Sequence, residues 1–172
     1  MELQNELKEE IQNPNKRPQI LTVLTILTFI YTGISFVSSL FSLLKGPMTE
    51  DQMIEQKVQM LKSIKPMKEQ GMDYVVQLLE QVDNMTASIN ANFYTVSLIA
   101  LLVIVLGFFA ALLVWKGRKL GFHLYIIYSL LSIIQLYFFV DAQYIPSIVV
   151  IINMIISGVF VLLYSKGLKW LN

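Results

Sequence analysis

Four stretches of this chain run without an Asp, Glu, Lys or Arg: Pro18 to about Leu44, about Phe93 to Trp115, Leu120 to Val140 and Ile145 to Tyr164. Each reaches the ~20 apolar residues that cross the hydrocarbon core of a bilayer as a helix. The first is expected to be a span and not a cleavable leader, because leaders carry a shorter apolar core followed by a small-residue cleavage pattern. The segment between the first two runs, residues 45–92, has a different rhythm. Ile54, Val58, Leu61 and Ile64, and then Val75, Leu79, Val82 and Ile89, recur at the three-and-four spacing of a one-sided helix. Lys45-Gly46-Pro47 closes the first span. Thr49 and Gln52 have the spacing of a capping box, with Glu50 and Asp51 at the positive end of the helix dipole. Pro66 and Gly71 break the pattern, so two amphipathic helices folded into a hairpin are expected. Asn84, Asn90 and Asn92 leave room for a further break before the second span.

The expected fold is an all-α integral membrane protein, a four-transmembrane-helix bundle with an extracytoplasmic amphipathic helical hairpin between helices 1 and 2. Its parts are a tail (1–17), a first span (18–44), the hairpin (45–92), a second span (93–115) and a basic turn (116–119). A third span (120–140), a short turn (141–144), a fourth span (145–164) and a C-terminal end (165–172) follow. In the tail, Leu3, Leu7 and Ile11 form a thin stripe that Asn13-Pro14-Asn15 would stop, and a frayed tail is expected.

Composition agrees with the pattern. Of 172 residues 55% are hydrophobic and 15% charged, against about 25% charged in soluble domains. A net charge of +1 offers no basic stripe for nucleic acid. The absence of cysteine and the single histidine remove disulfides, thiolate chemistry and histidine metal clusters, so no metal and no cofactor is expected. The basic residues next to spans segregate: Lys16, Arg17, Lys116, Arg118, Lys119, Lys166 and Lys169 fall on one side, and only Lys45 on the other. The positive-inside rule then puts both termini in the cytoplasm and the hairpin outside, in a bacterial inner membrane.

Three sets of residues are candidates for function. On the first span Thr25, Thr28, Thr32, Ser35, Ser39 and Ser42 alternate three and four apart, the period of a packing seam between membrane helices. A polar track for a solute is the competing reading of the same stripe. In the basic turn, Trp115 has the character of an interfacial belt residue, and Lys116, Arg118 and Lys119, with Lys16 and Arg17, are topology anchors or contacts for lipid headgroups. In the hairpin, Met53, Met60, Leu61 and Met67 form a pliable face for a protein partner. The three methionines are not a copper site, since seven residues of helix separate neighbours by about 10 Å.

No Asp, Glu, Lys or Arg lies inside a span, which argues against proton relays and charge-coupled carriers. There is no H-E-x-x-H and no glycine-rich phosphate loop. His123 and Asp141 sit at opposite ends of the third span, about 27 Å apart by helical rise. An enzyme is therefore not expected.

KRPQILTVLTILTFI at the first span and WKGRKLGFHLY at the turn between the second and third resemble matching segments of a family of small bacterial four-span membrane proteins. That family has a K-R-P run opening span 1 and a W-K-x-x-K-x-G-F-x-x-Y hairpin between spans 2 and 3. The resemblance implies the four-span fold and brings no activity. The sequence thus points to a non-enzymatic accessory or scaffolding subunit. Its partners would be membrane lipids and another membrane protein or a second copy of itself. An oligomeric transporter or channel for a neutral or lipid-like solute is the alternative.

Overall fold

The structure, a computed structural model, describes residues 18–171. Among these residues it is helical throughout, with no strand. The elements are α1 (Gln19–Lys45), α2 (Glu50–Glu69), α3 (Asp73–Ala91), α4 (Phe93–Trp115), α5 (Lys119–Ile134) and α6 (Ser147–Lys166), with 3-10 turns at Gln135–Phe138, Ala142–Tyr144 and Leu168–Trp170. Four of them are long and apolar enough to cross a membrane: α1, α4, α5 with its 3-10 extension to Phe138, and α6. The tail stripe of Leu3, Leu7 and Ile11 and the anchors Lys16 and Arg17 lie outside the described residues.

The α4–α5 pair is the tightest part of the bundle. Its interface is small on one side and aromatic on the other: Gly107, Ala110, Ala111 and Val114 are buried on α4, and Gly121, Phe122, Tyr125 and Tyr128 on α5. At Gly121 the backbones approach so closely that a Cβ would lie 2.7 Å from the Ala110 carbonyl oxygen. Glycine there is a packing requirement, as small residues are wherever membrane helices meet closely. The turn joining the two helices is a Schellman motif. Gly117 takes φ 74°, its N–H donates to the Val114 carbonyl (2.9 Å), and the Arg118 N–H donates to that of Leu113 (2.9 Å).

Helix α1 packs against α4 with Leu21, Leu24, Thr25, Thr28 and Thr32 buried. Helix α6 is held differently. Tyr164 is its only buried residue, near its C-terminal end. Its hydroxyl shares a hydrogen bond with Thr28 Oγ1 (2.9 Å), and its ring lies 4.6 Å from that of Tyr125. Towards the other end Ile148, Ile151, Ile155 and Val159 remain exposed, as suits a helix facing hydrocarbon.

The α2–α3 hairpin has the capping box expected of Thr49 and Gln52 (Thr49 N–H to Gln52 Oε1, 3.0 Å; Gln52 N–H to Thr49 Oγ1, 3.3 Å). The expected break at Pro66 does not occur. Helix α2 runs through it to Glu69, because proline that close to a helix end forfeits one hydrogen bond and leaves the next turn able to close. The reversal comes at Gly71 (φ 72°), again in Schellman form: Met72 N–H to the Met67 carbonyl (3.0 Å) and Gly71 N–H to that of Lys68 (3.1 Å). Ile64 and Val76 are buried near this closed end. Between α3 and α4 a single residue, Asn92 (φ −112°, ψ 25°), interrupts the helix.

Two contacts fasten the hairpin to the bundle. The Asn90 side chain brackets the chain that leaves α1: its Oδ1 accepts from Met48 N–H (2.7 Å) and its Nδ2 donates to the Met48 carbonyl (3.1 Å). Gln81 Nε2 donates to the Gln143 carbonyl (2.9 Å) in the turn between α5 and α6, where α3 packs on the 3-10 turn.

The third span also ends differently from its apolar run. The expected span reaches Val140, but the α-helix stops at Ile134 and tightens to 3-10 through Phe138. The fourth helix begins at Ser147 with Pro146 capping it, two residues beyond the expected start.

Candidate functional site

Because α6 is gripped at one end, a cleft of ≈ 510 Å³ opens between it and the other three spans. That is within the range of sites for small ligands. Thr28 lies nine residues into α1, about 14 Å from its start, and Asn153 lies six residues into α6, about 9 Å from the opposite end. The cleft therefore lies along the middle of the apolar spans. Its walls are mixed. Leu27, Ala100, Val103, Ile104, Ile156 and Phe160 are apolar, while hydroxyls and amides come from α1 (Thr28, Ser35), from α5 and its extension (Ser132, Gln135) and from α6 (Asn153, Ser157). Tyr31, Tyr125 and Tyr128 complete the lining, and among the described residues no Asp, Glu, Lys, Arg or His takes part.

Several of these polar groups are already committed to backbone. Thr28 Oγ1 donates to the Leu24 carbonyl (2.9 Å), Ser132 Oγ to that of Ser129 (2.8 Å) and Asn153 Nδ2 to that of Val149 (3.0 Å). Gln135 Nε2 reaches the Ser132 carbonyl at 3.5 Å, whereas its Oε1 is buried with no hydrogen-bond partner among the described residues. A buried acceptor in that position costs about 1–3 kcal/mol until a donor reaches it. The cleft thus presents apolar walls, uncommitted hydrogen-bonding capacity and no charge. That combination suits an uncharged amphiphile.

The structure divides the threonine–serine stripe. Thr25, Thr28 and Thr32 are buried inside the bundle, and each hydroxyl bonds to the carbonyl four residues back (2.6, 2.9 and 2.7 Å). Ser35 and Ser39 are half-buried and Ser42 is exposed. Only Thr28 and Ser35 of the six line the cleft.

The basic turn is displayed on the face that carries both ends of the described chain. Trp115 is half-exposed with its ring edge-on to Phe29 (6.4 Å), and Lys116, Arg118 and Lys119 are exposed. His123 Nδ1 sits 3.0 Å from the Lys119 carbonyl, a local helix contact. In the hairpin Met53, Met60 and Met67 are half-buried and Leu61 is exposed, together with Ile54 and Val58. Met53 Sδ lies 3.2 Å from Asn90 Nδ2, so this methionine takes part in holding the hairpin.

Sequence reasoning did not find Gln135, Asn153 and Ser157 as members of one site, nor Asn90 as a fastening. The first three stand out in sequence only as polar residues in apolar runs. Asn90 carries no pattern that separates it from Asn84 and Asn92. No protein-family model, curated protein or solved structure matches the chain.

Proposed function

We propose that this is a non-enzymatic polytopic membrane protein that holds an uncharged, lipid-like molecule in the cleft between α6 and the other spans. The observation that carries this reading is the cleft itself: ≈ 510 Å³ between the apolar spans, with hydroxyl and amide groups from three of them and, among the described residues, no charged one. A charged ligand would need a counter-charge there, since ions in hydrocarbon pair with protein groups. A neutral amphiphile needs hydrogen bonds for its head and apolar walls for its tail. Positive-inside segregation supports a bacterial cytoplasmic membrane with both termini in the cytoplasm and the hairpin outside. A reporter inserted at Gln70 should then be external and one fused after Asn172 internal.

The test is extraction in mild detergent followed by mass spectrometry of co-purifying neutral lipids, for the wild type and for a Q135L/N153L double variant. Retention of a neutral lipid by the wild type and its loss from a folded variant supports the cleft. Equal retention by both removes it as the binding site.

A second reading, an accessory or scaffolding subunit working through the hairpin, is favoured by Ile54, Val58 and Leu61, which stay exposed on one side of α2. A protein that co-purifies in stoichiometric amount and is released by deleting residues 49–89 would support it. The threonine stripe supports it less, because Thr25, Thr28 and Thr32 are committed within the chain.

A further inference from the structure

A smaller pocket lies on the face that carries both ends of the described chain, away from the cleft. The 3-10 turn Leu168–Trp170 folds back on the start of α1, so closely that a Cβ on Gly167 would lie 2.8 Å from Leu21 Cδ1. Leu171 and Leu21 are buried by this return. Between the folded-back end and the α4–α5 turn is a pocket of ≈ 240 Å³, lined by Leu21, Val114, Trp115, Lys116, Trp170 and Leu171 along with Gly117. Its floor is aliphatic, two indoles frame it, and Lys116 supplies a cation. This is the layering of the membrane–water boundary, where tryptophan sits at headgroup level.

Among the described residues the charges on this face are all of one sign. Lys116, Arg118, Lys119, Lys166 and Lys169 all lie on this face, and none makes an ion pair among the described residues, whose one such pair is Lys68–Glu80 in the hairpin. Every described acid lies elsewhere: Glu50, Asp51, Glu55, Glu69, Asp73, Glu80 and Asp83 in the hairpin, and Asp141 in the α5–α6 turn. A belt of exposed cations fixes topology without any pocket. Here one of the cations is set beside an aliphatic slot at the right depth for the glycerol and upper acyl chain of a lipid.

We propose that this pocket seats the phosphate head of an anionic phospholipid, with Lys116 as its counter-ion and Trp115 and Trp170 as its frame. The site is independent of the cleft. It takes a charged head from the adjoining leaflet, whereas the cleft takes an uncharged molecule at membrane depth.

The chain offers a direct probe, because its two tryptophans both line the pocket. The full chain is reconstituted in phosphatidylcholine vesicles containing equal mole fractions of brominated phosphatidylglycerol or brominated phosphatidylcholine, and tryptophan quenching is compared. The expected result is preferential quenching by the anionic lipid, corresponding to about fivefold enrichment, which is what one basic residue near the surface contributes. K116Q should abolish the preference, K116R should restore it, and K169Q, outside the lining, should leave it nearly unchanged. Equal quenching by the two lipids overturns the proposal. So does an equal loss in K116Q and K169Q, which would assign the preference to a diffuse basic belt. Relief of quenching by millimolar inorganic phosphate would assign the pocket to a soluble phosphate and overturn the lipid assignment.

Discussion

The contact at Gly121 sets a stability ordering that a few alanine substitutions test. In G121A the new methyl group would lie 2.7 Å from the Ala110 carbonyl oxygen and 2.8 Å from Val114 Cγ2, and would also press on the Val114 backbone nitrogen. Ordinary contact begins near 3.5 Å, so the helices must part by roughly 1 Å or bend. Ala110 and Val114 are fully buried, and backbone atoms cannot swing aside as a side chain can. Overpacking of this kind costs about 1–3 kcal/mol. The control is G33A on α1, where a Cβ would meet nothing within 4 Å and the helix gains up to about 1 kcal/mol from alanine. G107A should fall between them. Its methyl group would meet the Tyr128 ring at 2.7 Å, and that ring borders the cleft and has somewhere to tilt. The assay is reversible unfolding by a rising mole fraction of sodium dodecyl sulfate in mixed micelles, followed by circular dichroism. The expected order of stability is G33A at or above wild type, then G107A, then G121A. A G121A protein as stable as G33A would refute the close approach of α4 and α5 at this point.

Two further substitutions address how the outlying parts are fastened. N90L removes the bracket on Met48 and leaves a half-buried N–H without its acceptor, at a cost of about 1–3 kcal/mol; amide exchange at Met48 and proteolysis in the hairpin should both accelerate, and unchanged exchange would show that the bracket does not hold the hairpin. Y164F removes the bond to Thr28, which keeps its own carbonyl partner, so the loss should be only about 0.6 kcal/mol, the average for hydrogen bonds between membrane helices; a loss several times larger in the same micelle assay would mean that the bond holds α6 more firmly than its geometry implies.

What was legible in the sequence was whatever depends on local pattern. Uncharged apolar runs marked the four spans, and Thr49 with Gln52 marked the start of α2, because the physics of a span or a cap is contained in neighbouring residues. Pro66 misled for a related reason. A proline rule applies to helix interiors, and how near the helix end lies was decided by Gly71, five residues on. The cleft was not legible at all. Its polar members are scattered from Thr28 to Ser157 and come together only because α6 is gripped at Tyr164 and left unpacked towards its other end. The stripe of threonines and serines reads as one feature, yet its two halves have different surroundings, and sequence period alone does not say where a neighbouring helix begins or ends.

The grip on α6 also bears on how the cleft would work. Thr28 is common to both features: its hydroxyl meets Tyr164, the one buried residue of α6, and it also lines the cleft. Tyr125 is shared in the same way, its ring tilted against that of Tyr164 and forming part of the cleft wall. An occupant that hydrogen-bonds in the cleft therefore acts on the contacts that position α6. The α4–α5 pair, interlocked at Gly121 and Gly107, gives the opposite wall little freedom to respond. Whatever movement accompanies filling of the cleft should fall on α6, the span with the fewest buried residues, and its range is limited by the anchor at Tyr164.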